Sequence, residues 1–151
     1  MIRDPSFFPF RTSFLQAGIT RRIQFSSGRL ERIEIVVHRY SGRGNLVGYL
    51  MTDARGPGSV ITAVSFSVPR SSDPFEAELV SANVKDQPLI RSSKHYWLVL
   101  ETADPIKDNV FWWRVENQPE TTIAIRYSKS EPWHMNGAYG AMLRMYGESI
   151  R

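Results

Sequence analysis

Few side chains in this sequence are suited to bond-making chemistry. The 151 residues include three histidines and no cysteine. His38, His95 and His134 share no metal-ligand spacing such as His-x-x-x-His. Without cysteine there is no thiolate zinc site, iron–sulfur cluster, disulfide framework or Cys nucleophile. Glu101, Asp104 and Asp108 gather in or beside one polar stretch, and oxygen ligands from a loop suit a hard cation such as Ca²⁺. An EF-hand spacing is missing, however, and Asp104-Pro105 is accounted for by a turn. No Gly-x-Ser-x-Gly, P-loop or Gly-x-Gly-x-x-Gly is present, so acyl transfer and nucleotide chemistry lack their usual motifs. The expectation is a protein with no catalytic residues, no metal and no cofactor. A hydrolase using the acids of the Glu101–Asp108 stretch is the most distant alternative.

The aromatic residues carry more information. Alternation over Phe111–Val115 places Phe111, Trp113 and Val115 on one strand face and Trp112 with Arg114 on the other. One of these faces must be core. The other can present an indole beside a guanidinium, which suits stacking on a sugar ring or a protein partner. Trp112, Trp133 and Tyr139 are therefore the candidates for glycan stacking.

The first residues stand apart from the rest. Met1–Phe14 holds four of the eight phenylalanines (Phe7, Phe8, Phe10 and Phe14), with Pro5 and Pro9 among them. Proline disfavours helix at the residue before it, so an extended stretch is expected. Such an arm must cover its rings, either on its own domain or on a neighbouring subunit. Met1 to Arg43 also carries eight arginines against three acids, whereas the remainder has eleven basic and twelve acidic residues. Arginine suits planar bidentate contacts at protein interfaces. Phe7, Phe8, Phe10, Phe14, Arg21 and Arg22 are the candidate partner-binding residues. No nucleic-acid-binding module accompanies the basic residues, and no apolar run approaches the roughly 20 residues of a membrane-crossing helix. Neither a specific nucleic acid nor a membrane is an expected partner.

Short strand patterns between turn signals must position these groups. Leu30–Tyr40 is the clearest, with Ile33, Ile35 and Val37 on one face and Arg32, Glu34, Val36 and His38 on the other. Thr20–Ser26, Leu46–Thr52, Val60–Val68, Phe75–Val80, His95–Glu101, Val110–Val115, Thr122–Tyr127 and Ala141–Tyr146 also read as strands. Phe75, Ala77 and Leu79 alternate, although Phe75 and Leu79 also fit helical spacing. Residues 133–140, with Trp133, His134, Gly137, Tyr139 and Gly140, read as a loop. No convincing amphipathic helix interrupts the series. The fold expected is all-β, an antiparallel two-sheet sandwich or a barrel. Residues 1–18 form an extended aromatic N-terminal arm and residues 19–151 the β-sandwich domain.

His95-Tyr-Trp-Leu-Val-Leu-Glu101 resembles the mid-chain strand of the choice-of-anchor family of bacterial surface domains. Gln24-Phe25, Leu30-Glu-Arg-Ile33, Leu46–Asp53 with Gly56-Pro57-Gly58, Phe111-Trp112-Trp113, Trp133 and Leu143-Arg-Met-Tyr-Gly147 are similar to that family's other positions, in order. The resemblance spans Gln24 to Gly147. It implies a jelly-roll-like sandwich and brings no catalytic residues with it. Family members usually carry a secretion signal and a C-terminal anchor. Met1–Phe10 lacks a continuous apolar core and a small-residue cleavage site, and the chain ends at Ile150-Arg151. The expectation that follows is a non-enzymatic virion structural protein, a phage head decoration or tail component made in the host cytoplasm. It would meet other virion subunits or itself. A carbohydrate-binding module at a cell surface is the alternative.

Overall fold

The computed structural model describes residues 7–10, 16–22, 27–41, 45–69, 77–102, 109–116, 122–126, 129–137 and 139–149. These residues hold strands and turns and no helix. In chain order the strands are β1 (Phe7–Phe10), β2 (Gln16–Arg22), β3 (Gly28–Ser41), β4 (Leu46–Asp53), β5 (Pro57–Phe66), β6 (Glu78–Asn83) and β7 (Leu89–Ile90). They continue with β8 (His95–Thr102), β9 (Asn109–Glu116), β10 (Thr122–Arg126), β11 (His134–Gly137), β12 (Tyr139–Ala141) and β13 (Leu143–Ser149).

They form two antiparallel sheets. One has the order β1-β9-β3-β13, with β6 and β7 on β3 and β12 on β9; the other has six strands in the order β11-β10-β2-β8-β4-β5. A single cluster of buried side chains draws on both. Ile33, Ile35, Val37, Val80, Val110, Trp112 and Leu143 come from the first sheet, and Leu46, Leu50, Phe66, Leu98, Leu100 and Ile123 from the second. The protein is thus an all-β, sandwich-like fold. Burial of each such side chain contributes about 1.5–3 kcal/mol against the entropy of ordering the chain.

Alternation places Ile33, Ile35 and Val37 in this core, as expected. The other face of β3 departs from the sequence reading. Val36 and His38 are buried there, and Arg39, on the same face as Val37, is buried as well. Near Val37 the strand runs between β6 and β9, so both its edges are occupied there. His38 is thus seen to be buried, not part of a solvent-facing mixed surface. On β6 the residues that turn inward are Val80 and Ala82, whereas Leu79 is 53% exposed. The inward pair follows register: Val80 and Ala82 lie opposite the core residues Ile35 and Ile33.

Two boundaries shift. β2 starts at Gln16, so the expected end of the arm at residue 18 falls inside a strand that lies between β10 and β8. Earlier in the arm, Phe7–Phe10 pairs along β9 of the same chain. The expected loop at 133–140 instead contains β11 and β12. Their ladders are supplied by β10 and β9, partners that local composition cannot announce. The expected turn after Asp53 is present. Arg55 and Gly56 take positive φ, and the Asp53 Oδ1 accepts a hydrogen bond from the Gly56 N–H at 3.3 Å.

Candidate functional site

The outer face of the six-stranded sheet carries a second, smaller apolar cluster: Trp97, Val99 and Ala124, with Tyr49, Met51 and Trp133 packed against it. Register explains how residues so far apart in sequence meet. Tyr49, Val99, Gly18 and Ala124 form one cross-strand row, and Met51, Trp97 and Thr20 the next. A third row brings together Val47, Glu101, Gln16 and Arg126. Gly18 keeps the first row flat: a Cβ there would stand 3.0 Å from Val99 Cγ2 and 3.5 Å from Trp97 Cε3.

Polar groups edge the cluster. The Trp97 indole N–H donates to Asp53 Oδ1 at 2.9 Å, so the β4–β5 turn is tied to β8 through the carboxylate that also holds Gly56. The Tyr49 hydroxyl donates to Glu101 Oε2 at 3.0 Å, and Lys129 Nζ stands 3.5 Å from Glu101 Oε1. Lys129 is largely exposed, so this ion pair adds little stability. The Arg126 guanidinium carbon lies 4.3 Å from the centroid of the Trp133 ring, a cation–π contact. An Arg126 N–H also donates to the Lys129 carbonyl at 3.4 Å. Lys129 and Trp133 are thereby held against the sheet, Trp133 half-buried.

Burial, and then the hydrogen bond to Glu101 and its negative charge, push the Tyr49 phenol above its ordinary value of 10.0. A raised folded-state value means that the folded protein holds this proton more tightly than the unfolded chain. The resulting stabilisation is complete below about pH 10 and is lost as pH rises through the folded value. Tyr49→Phe is therefore expected to flatten the alkaline limb of the stability–pH curve, as measured by urea denaturation across that range. An unchanged alkaline limb would assign the alkaline loss to other groups.

The candidate residues named from sequence separate. Trp112 is fully buried in the main core, and its indole N–H donates to the Met142 carbonyl at 3.1 Å. It cannot serve as an exposed stacking ring, which corrects that expectation; the inward face of β9 claims it. Trp133 lies on the outer face as described. Tyr139 sits in β12 opposite Glu116, with only its backbone described. Phe7, Phe8 and Phe10 lie in β1 opposite Trp113, Trp112 and Val110, and Arg21 and Arg22 lie in β2 opposite Tyr96 and His95. Phe14, Asp104 and Asp108 fall outside the described residues. His38, His95 and His134 sit on β3, β8 and β11. Among the described residues no group of three or more His, Asp or Glu could hold a metal ion.

Sequence reasoning missed the roles of Tyr49, Trp97, Glu101 and Arg126. The signal available was the near-continuous apolar run His95–Glu101. A strand apolar on both faces needs cover on both, and alternation puts Trp97, Val99 and Glu101 together on the face away from the main core. No protein-family model matches the chain, and no curated protein matches it. The fold defines the class, an all-β sandwich-like protein, and the outer aromatic face defines its most distinctive surface.

Proposed function

We propose that this chain is a non-enzymatic structural subunit that works through contacts between subunits, and that its setting is a virion, as a head decoration or tail component. The observation that carries the reading is the placement of β1. This strand joins the rest of the fold along one edge of β9, and the next strand, β2, lies in the opposite sheet. An edge strand held by main-chain pairing can be taken from the same chain or from a neighbour, because the ladder is identical in both cases. The jelly-roll-like connectivity and the likeness to choice-of-anchor domains belong to this proposal. The test is deletion of residues 1–10, read by the mass of the assembly and by far-ultraviolet circular dichroism. The expected result is loss of assembly with the β-spectrum retained; an unchanged assembly overturns the reading.

A second reading is a carbohydrate-binding module. The outer face favours it, since Trp133 and Tyr49 stand beside Glu101, Arg126 and Lys129, the mixture of aromatic and polar groups that sugars require. Trp133→Ala is then expected to abolish retention on a glycan affinity gel with the β-spectrum retained, at some cost in melting temperature because the ring also covers the outer cluster. Retention equal to the parent protein removes this reading.

A further inference from the structure

Among the described methionines Met135 alone is exposed: its side chain is 45% accessible, whereas Met51, Met142 and Met145 are half-buried. Met135 lies in β11 directly opposite Ala124, a buried member of the outer cluster, and so on the outer face of the six-stranded sheet. β11 stands first in the order of that sheet, and the turn after Asp53 joins its last two strands, β4 and β5. The two ends nevertheless meet. A Cβ built on Gly56, in that turn, would stand 3.8 Å from both Sδ and Cε of Met135. Gly56 is buried, although Asp53, Ala54 and Arg55 before it are exposed.

The turn that Met135 touches is bonded to the outer cluster. The Gly56 N–H donates to Asp53 Oδ1 at 3.3 Å, and the same oxygen accepts the indole N–H of Trp97, which is 1% exposed. The Gly56 carbonyl accepts the Ala54 N–H at 2.9 Å. Both main-chain polar groups of Gly56 are thus committed inside the turn. What it offers the thioether is a dispersion contact, which suits a soft, polarisable sulfur. A sulfoxide oxygen has other needs, because it is a strong acceptor that must be met by a donor or by water.

We propose that Met135 is an oxidation-sensitive clasp: a peroxide converts its thioether to the sulfoxide, and the β4–β5 turn then comes free of β11. In that step a sulfur lone pair attacks one peroxide oxygen. The S–O bond forms as the O–O bond breaks, sulfur is oxidised by two electrons, and the remainder of the peroxide leaves as water or an alcohol. Exposure makes this sulfur the first to react. The sulfoxide cannot be satisfied by Gly56, whose N–H is held by Asp53, so it turns to the solvent it already borders. Release is felt at Trp97, because the freed turn carries the carboxylate that holds the indole. The site goes beyond both functional readings above and depends on neither.

The test applies hydrogen peroxide to the full chain and to two variants. Met135→Leu keeps an apolar side chain without sulfur, and Met135→Gln imitates the polarity of the sulfoxide. Peptide mapping is expected to find Met135 oxidised about tenfold faster than Met51, Met142 and Met145. The amides of Ala54 and Gly56 are expected to exchange with solvent about tenfold faster in the oxidised parent, and as fast in Met135→Gln without peroxide. Met135→Leu is expected to keep slow exchange before and after treatment. Methionine sulfoxide reductases are expected to return the oxidised parent to slow exchange. Equal oxidation of the four methionines overturns the proposal, as does an oxidised parent whose turn exchanges at its original rate. Faster exchange in peroxide-treated Met135→Leu overturns it too, by placing the sensitive group elsewhere.

Discussion

Trp112→Ala is expected to lower the unfolding free energy by about 4 kcal/mol, the middle of the range for removing a large buried aromatic side chain. The ring has no exposed surface and belongs to the core cluster shared by both sheets. Its position also makes it a joint. Trp112 pairs with Val37 of β3, and two residues later β9 pairs with β12 instead. The indole N–H bonds to Met142, the residue between β12 and β13, so one side chain pins the point where the neighbour of β9 changes. Truncation to alanine opens a cavity and leaves the Met142 carbonyl without this donor. Trp112→Phe keeps most of the volume and removes the donor, so a loss of about 1–3 kcal/mol is expected. Guanidinium denaturation monitored by far-ultraviolet circular dichroism reads both values. A loss below about 1 kcal/mol for the alanine variant would contradict the burial, since that is the scale of ordinary surface changes.

Gly147→Ala is the second large effect, expected to cost about 3 kcal/mol because backbone, not a flexible side chain, occupies the space. A Cβ at this position would overlap the Arg29 carbonyl oxygen and stand 2.9 Å from the Arg29 carbonyl carbon. The reason lies in the β3–β13 ladder, which changes register between Tyr146 and Gly147 and brings Gly147 opposite Leu30. Gly28 shows the same closeness from the other side, where a Cβ would meet the Glu148 carbonyl oxygen at 2.5 Å. The two main chains approach too closely for side chains at these points. Arg144→Ala, exposed and upstream of the bulge, is the matched control and is expected to stay within about 0.5 kcal/mol. Thermal melts and amide exchange along Gly28–Leu30 distinguish local opening of this ladder from general destabilisation. An alanine variant as stable as the parent would mean the strands separate at no cost.

The face chosen by Trp112 marks the limit of what local pattern can tell. Alternation states that Trp112 and Phe111 point to opposite sides, but both sides of that strand are aromatic. Only the opposing sheet decides which is interior. The same holds for Trp97 and Trp133. Residues 95–101 announce a strand covered on both faces, yet its outer cover comes from Trp133, 36 positions from Trp97 along the chain. β11 and β12 contain glycine, asparagine and single aromatic residues, which favour no strand by themselves. They become strands because β10 and β9 offer unpaired ladders.

The chain itself determined that the fold is β, that Ile33, Ile35 and Val37 face a core, and that the backbone turns after Asp53. Those outcomes depend on period-two alternation and turn chemistry within a few residues. The tertiary structure alone decided that the N-terminal segment lies along β9, that Trp112 is interior, and that Trp97, Tyr49, Glu101 and Arg126 share one surface. Each of these depends on strand pairing between segments tens of residues apart, where the ladder supplies main-chain partners that no neighbouring residue encodes.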